Sequence, residues 1–242
     1  MDFRFIHVYP VTNLDAKAVV HQIAKIFPSC KVDVRRPFRH DGRIEQARIT
    51  DAKQPFDRQP KQPEGMMPLY DGFVLQRIFA EMIPAAQAGH VHIIFTDLLT
   101  CTFSEEDWRY HGRAVVCGTP SIISTTGIVE APARPREFYF AQLVGNSNLK
   151  KQFAGRFIDY GDDRMTGAAG LYALQALFFF VSGGEPFCED KSCMLYNAHW
   201  QEELIRLIEK GTLCSRHRKM ANKFNNNKSA RRRSFQRRYP AA

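Results

Sequence analysis

No uninterrupted apolar run in this 242-residue chain reaches about 18 residues, and no positively charged, apolar leader precedes its first strand-like segment. The first absence argues against a membrane-spanning helix, which needs about 20 apolar residues to cross the hydrocarbon core. The second argues against secretion. The longest apolar stretch, residues 171–182, is too short to span a bilayer and reads as a buried core helix. Internal repeats are missing too. With no sign of export, the six cysteines point to reduced thiols and metal rather than disulfides, and the cytoplasm is the expected compartment.

Acidic residues are absent from position 218 onward, where nine basic ones stand: Arg218, Lys219, Lys223, Lys228, Arg231, Arg232, Arg233, Arg237 and Arg238. Removing these nine from the 34 Lys and Arg leaves 25, against 25 Asp and Glu. The body of the chain is therefore formally neutral, and the net charge of +9 belongs to an Asn-rich arm. This distribution weakens the case for a nucleic-acid-binding fold and moves the question to the arm. A hydrophobic content of 44% with 19 Phe argues for a globular chain, and the length suits one domain or two tightly joined lobes.

Periodicity supplies the elements. Residues 3–9 alternate as a strand that ends at Pro10, and Asn13 or Asp15 caps a helix running to about Phe27. Residues 30–35 form a second strand. Five prolines between 36 and 68 mark an exposed loop with little regular structure. A helix over 72–82 follows, then strands at 90–96, 113–118 and 121–128. Pro135 opens another helix. A long apolar helix spans 165–182, closed by Gly183 and Gly184, and a last helix over 198–210 stops at Gly211. The expected architecture is α/β, a mixed sheet with flanking helices, in a domain over 1–183. A zinc-knuckle lobe over 184–217 and a basic, flexible tail over 218–242 complete it.

The lobe rests on four residues. Cys188 and Cys193 are separated by four residues; after twenty more comes Cys214 and, after a further two, His217. Two short-range pairs of soft donors are what a tetrahedral zinc requires, because each pair can grip the ion from a single turn. With four protein ligands no position remains for water, so the expected role is structural.

This pattern resembles the archaemetzincin branch of the metzincin peptidases, whose motif runs HExxHxxGxxHC-x4-C-x-M, about seventeen residues, then CxxC. Cys188 and Cys193 match the x4 pair, Met194 stands one place early, Cys214 falls within a residue of its expected position, and His217 replaces the last cysteine. Gly184 occupies the motif glycine. The three histidine positions are Leu177, Val181 and Phe187, and the glutamate position is Phe178. The resemblance thus implies a metzincin-like fold with a structural zinc but without the ligands or base of peptide hydrolysis. IISTTGIVEAPARP, PFCEDKSC and NAHWQEE are also similar to a set of small metallopeptidase-like proteins.

Other groups invite chemistry and a plainer reading together. His199 with Glu202 and Glu203 is a second metal cluster or a capped, solvated helix start. Asp159, Asp162, Asp163 and Arg164 hold a cation, act as general acid–base groups or form a helix-initiating, solvated loop. His90 and His92 share a strand face, with His111 at another strand end. The hydroxyl-rich run 121–127 offers backbone to an anion or a peptide but lacks a phosphate loop's lysine. In the tail, Arg231–Arg233, Arg237 and Arg238 alternate with Phe235 and Tyr239, suiting phosphate pairing with base stacking. The leading expectation is a catalytically silent binding or assembly module with protein partners, no membrane, and RNA contact through the tail. The competing expectations are an active metal-dependent peptidase with a rearranged site, and an RNA- or ribosome-associated factor.

Overall fold

The computed structural model describes residues 3–50, 67–145 and 148–238. Its strands are β1 (Phe5–Tyr9), β2 (Lys31–Val34), β3 (Leu69–Asp71), β4 (Val91–Thr96), β5 (Leu99–Ser104), β6 (Arg109–Arg113), β7 (Val115–Val116) and β8 (Ser121–Ser124). Its helices are α1 (Ala16–Ile26), α2 (Gly72–Met82), α3 (Thr125–Glu130), α4 (Arg136–Leu143), α5 (Leu149–Gln152), α6 (Met165–Ser182), α7 (Gln201–Lys210) and α8 (Ser215–Arg238).

The main sheet has the order β2-β1-β4-β8-β7. Four strands run parallel, and β7 pairs antiparallel with β8 as an edge. Parallel strands covered on both faces alternate their burial between two cores. Ile6, Val8, Ile93 and Ile123 point into one core with α1, α6 and α7, whereas Ile94 and Ile122 point into a second core with Leu75, Ile78 and Phe79 of α2. A smaller sheet, β3-β5-β6, flanks the first. The chain is therefore α/β with mixed sheets flanked by helices.

Local chemistry explains the boundaries. Asp15 accepts the backbone N–H groups of Lys17 and Ala18 and so begins α1; Asp71 does the same for Phe73 and Val74 of α2. Gly183 ends α6 in the left-handed conformation, φ 79°, which costs a glycine little. Within α6, a side chain at Gly170 would collide with Gln22 of α1, so a glycine there lets the two helices approach. By length and composition alone α6 could cross a bilayer, but 61% of it is buried inside the protein, where it serves as the core helix.

Several expectations need correction. The segment 121–128 is not one strand: β8 ends at Ser124, whose hydroxyl accepts the N–H of Gly127 at 2.7 Å and starts α3. The expected strand over 113–118 divides between the end of β6 and the two residues of β7. The loop 36–68 contains a short 3-10 helix, Gly42–Ala47, and Ile44, Ala47 and Ile49 are buried. Its residues 51–66, like Tyr239, lie outside the described residues. The boundary expected at 217/218 falls inside α8, and residues Leu195, Leu204, Leu207 and Leu213 of the C-terminal part join the first core.

Candidate metal centre

The segment after α6 turns back on itself through ordinary backbone chemistry. Ser182 donates to the carbonyl of Glu185, and the N–H of Cys188 reaches the carbonyl of Leu195 at 2.9 Å. Between the first two cysteines, Asp190 accepts both the N–H and the hydroxyl of Ser192, at 2.9 and 2.7 Å. This turn brings the N–H of Cys193 to the Asp190 carbonyl and folds the four intervening residues tightly. The N–H of Met194 then bonds the Thr212 carbonyl at 3.0 Å, which lays the next chain segment alongside. Cys214 precedes α8 and His217 sits in its first turn.

All four potential donor atoms lie within 4.8 Å of one another. Cys188 Sγ is 3.9 Å from Cys214 Sγ; His217 Nδ1 is 3.1 Å from Cys214 Sγ and 3.7 Å from Cys193 Sγ. A tetrahedral zinc with sulfur and imidazole bonds of about 2.3 and 2.0 Å would place its ligands roughly 3.5–3.8 Å apart. The observed 3.1, 3.7 and 3.9 Å separations bracket that range, so small side-chain shifts would seat the ion. Cys193 and His217 are almost wholly buried, at 0% and 1% exposure, and the ring of Phe178 stands edge-on to that of His217 at 5.4 Å.

The electrostatics follow from position. Burial pushes the Cys193 thiol up to about 12. Burial acts on Cys214 in the same sense, but the N–H groups of His217 and Arg216 and its two cysteine neighbours together hold it below the usual thiol range. A helix start is where a thiolate is expected to be stabilised. Burial, with Arg216 nearby, also lowers His217 and favours the neutral imidazole that a metal needs. Loading the site would release the protons that burial retains.

Near the end of α6, the residues at the resembled motif's ligand and base positions are part of the core. Leu177 and Phe178 are fully buried, and the Phe178 ring packs on Phe27 at 5.5 Å. Val181 packs against the same core. Phe187 is 42% exposed and borders a cleft of about 220 Å³ beside β7, together with His111, Tyr172, Asn197 and His199.

The remaining candidates are engaged otherwise. His111 Nε2 is 2.9 Å from Asp107, which holds that carboxyl down near 2, with Arg109 assisting. Glu203 accepts the backbone N–H groups of His199 and Trp200, capping its own helix, and Glu202 pairs with Arg156 at 2.7 Å. Asp162 is bound to Arg164. The tail arginines Arg231, Arg232, Arg233, Arg237 and Arg238 have their backbone in the last turns of α8.

His90 and His92 do converge, on a partner that sequence reasoning did not single out. His7 of β1 stands opposite His92 in the sheet register. Its Nε2 is 2.8 Å from His90 Nδ1, and its Nδ1 is 2.5 Å from Asp33, with Arg35 closing over both. His92 Nδ1 is 3.1 Å from the Tyr9 hydroxyl, and its Nε2 donates to the Gln87 carbonyl at 3.1 Å. These nitrogens face hydrogen-bond partners rather than one another's common centre. Among the described residues, the Cys188–Cys193–Cys214–His217 set is the one group that could hold a metal. The alternation Phe5, His7, Tyr9 was the available signal, but it becomes meaningful only once β1 is known to pair with β4.

The sequence profile of a family described as a probable metallopeptidase family (DUF6775) matches residues 2–224. No curated protein and no solved structure matches the chain.

Proposed function

From the premise that the chain belongs to this probable metallopeptidase family, we propose that it is a metallopeptidase-like protein without a peptidase centre, held by a structural zinc and acting as a binding module in a larger assembly. The observation that carries the reading is the contrast along one stretch of chain. Where the archaemetzincin motif places ligands and base, this chain places Leu177 and Phe178 at 0% exposure, in packing contact with the core. Some 10 residues further on, four well-spaced donors remain. Zinc bound there would cross-link α8 to the turn after α6, and its closed ligand set would leave no position for a reacting water.

The metzincin-like frame is part of this proposal: a parallel sheet with an antiparallel edge strand, β7, followed by a long core helix. A partner segment would lie in the cleft beside β7. A second surface favours assembly: α4 buries Phe138 and Ala141 but leaves Phe140 and Leu143, followed by Val144, exposed at 69%, 86% and 66%. Contiguous exposed apolar residues of this kind mark interaction sites.

Metal analysis with a peptide-library assay tests the reading. The expected result is one zinc per chain, released only as the fold loosens, and no hydrolysis. A second, readily chelated metal whose removal abolishes peptide cleavage would establish the rearranged peptidase instead. A polyanion role for the tail has separate support, because α8 carries the backbone of its arginines on one continuous helix from the metal centre. Truncation after residue 227 should abolish RNA binding if the arm is responsible, and wild-type binding should weaken steeply with salt. RNA affinity unchanged by the truncation would remove that role.

A further inference from the structure

The carboxyl ends of the parallel strands open into a cavity that the foregoing reading does not use. It measures about 370 Å³ and is bordered by Asn13 after β1, Phe38 and His40 after β2, Asp97 after β4, and Tyr160 and Asp162 before α6. From β1 the chain proceeds to β2 on one side, while β4 lies on the other. The loops leaving β1 and β4 therefore diverge. In open parallel sheets, ligands bind in the crevice formed at such a reversal.

The lining selects the ligand. Among the described residues, no lysine or arginine borders the cavity. The N–H groups of Lys17 and Ala18 in the first turn of α1 are taken by Asp15, at 3.0 and 3.1 Å, so that helix start is already occupied by a carboxylate. Asp162 is neutralised by Arg164 through bonds of 2.9 and 2.6 Å. Asp97 is exposed, and its carboxylate makes no hydrogen bond or ion pair among the described residues. Among the described residues the site thus holds one uncompensated negative charge, that of Asp97, which repels phosphates and carboxylates and attracts cations. Phe38 and Tyr160 add aromatic rings, whose faces attract organic cations. An inorganic cation is a poorer match, because no group of three ligating residues forms here among the described residues.

We propose that this cavity binds a small organic cation carrying a primary ammonium or guanidinium group, with Asp97 as its counter-ion. The proposal is independent of whether the protein hydrolyses peptides. Titrating the full chain with putrescine and with agmatine, followed by amide NMR shifts, tests it. Saturable binding of at least one amine is expected, with shifts centred on residues 12–13, 97 and 160–162. Asp97→Asn should weaken binding about tenfold, as loss of a charged hydrogen-bond partner does, whereas Glu105→Gln should leave it unchanged. Failure of both amines to bind, equal affinity in Asp97→Asn, shifts centred elsewhere, or tighter binding of succinate or Mg²⁺ would each overturn the assignment.

Discussion

Two places in this molecule gather imidazole, and they do so to different ends. At the C-terminal turn, His217 joins three thiols whose donor atoms face one point, all within 4.8 Å. On the sheet face, His7, His90 and His92 lie with ring centres 5.0–6.5 Å apart, close enough to suggest a metal site. Yet each ring there is turned toward a carboxylate, a hydroxyl, a carbonyl or another ring. Proximity alone does not make a metal site. What decides is whether nitrogen lone pairs are free to aim at a common centre or already serve as hydrogen-bond partners.

Breaking each cluster separates the two cases. Cys193→Ser should have the largest effect, abolishing zinc retention and lowering stability by on the order of 5 kcal/mol or more, because site formation and folding are coupled. Native mass spectrometry and denaturant melts check this, and an unchanged midpoint after chelation would count against a structural metal. Next comes Phe178→Ala, expected to cost about 3–5 kcal/mol by emptying the space between Phe27 and His217. Its urea midpoint should fall accordingly, with a looser hold on the metal.

At the second cluster, His7→Ala should cost about 1–3 kcal/mol, because it strands the partners of a buried hydrogen-bonded group. Zinc content should not move; if it does, the two clusters are not separate. The smallest effect is a pH slope. Burial, aided by His7 and Arg35, lowers both His90 and His92, although Gln87 partly opposes this at His92. The folded state therefore favours their neutral forms, and the unfolded chain binds more protons below about pH 6.5. Stability should be full above that pH and decline as acid is added. In His92→Gln the decline should be shallower.

Much of this architecture is legible in the residues. Helices α2 and α6 lie where apolar periodicity and flanking glycines place them, and the x4 and x2 spacings pick out the four residues whose donor atoms converge. The misreadings have specific physical origins. Ile122 and Ile123 followed by two β-branched threonines suggest a continuing strand, but the Ser124 hydroxyl caps a helix there, a local bond that outweighs propensity. In β5, Thr100, Cys101 and Thr102 are all buried, so no two-residue alternation announces the strand. His7 becomes chemically interesting only when β1 and β4 lie side by side, and pairing across 80 or so residues is a tertiary fact. Asn and Arg runs suggest a loose tail, and the backbone that carries them to Arg238 continues the helix that starts at Ser215.

That helix also ties β1 and α1 to the C-terminal turn. Phe224 rests against Phe3 with ring centres 4.9 Å apart, and Asn225 donates to the carbonyl of Ile26 at 2.9 Å. A zinc clasped at Cys214 and His217 would thus clamp the opening strand by way of the closing helix. Stripping the ion should expose β1 and α8 to proteases together, so that metal supply would set how long the protein survives.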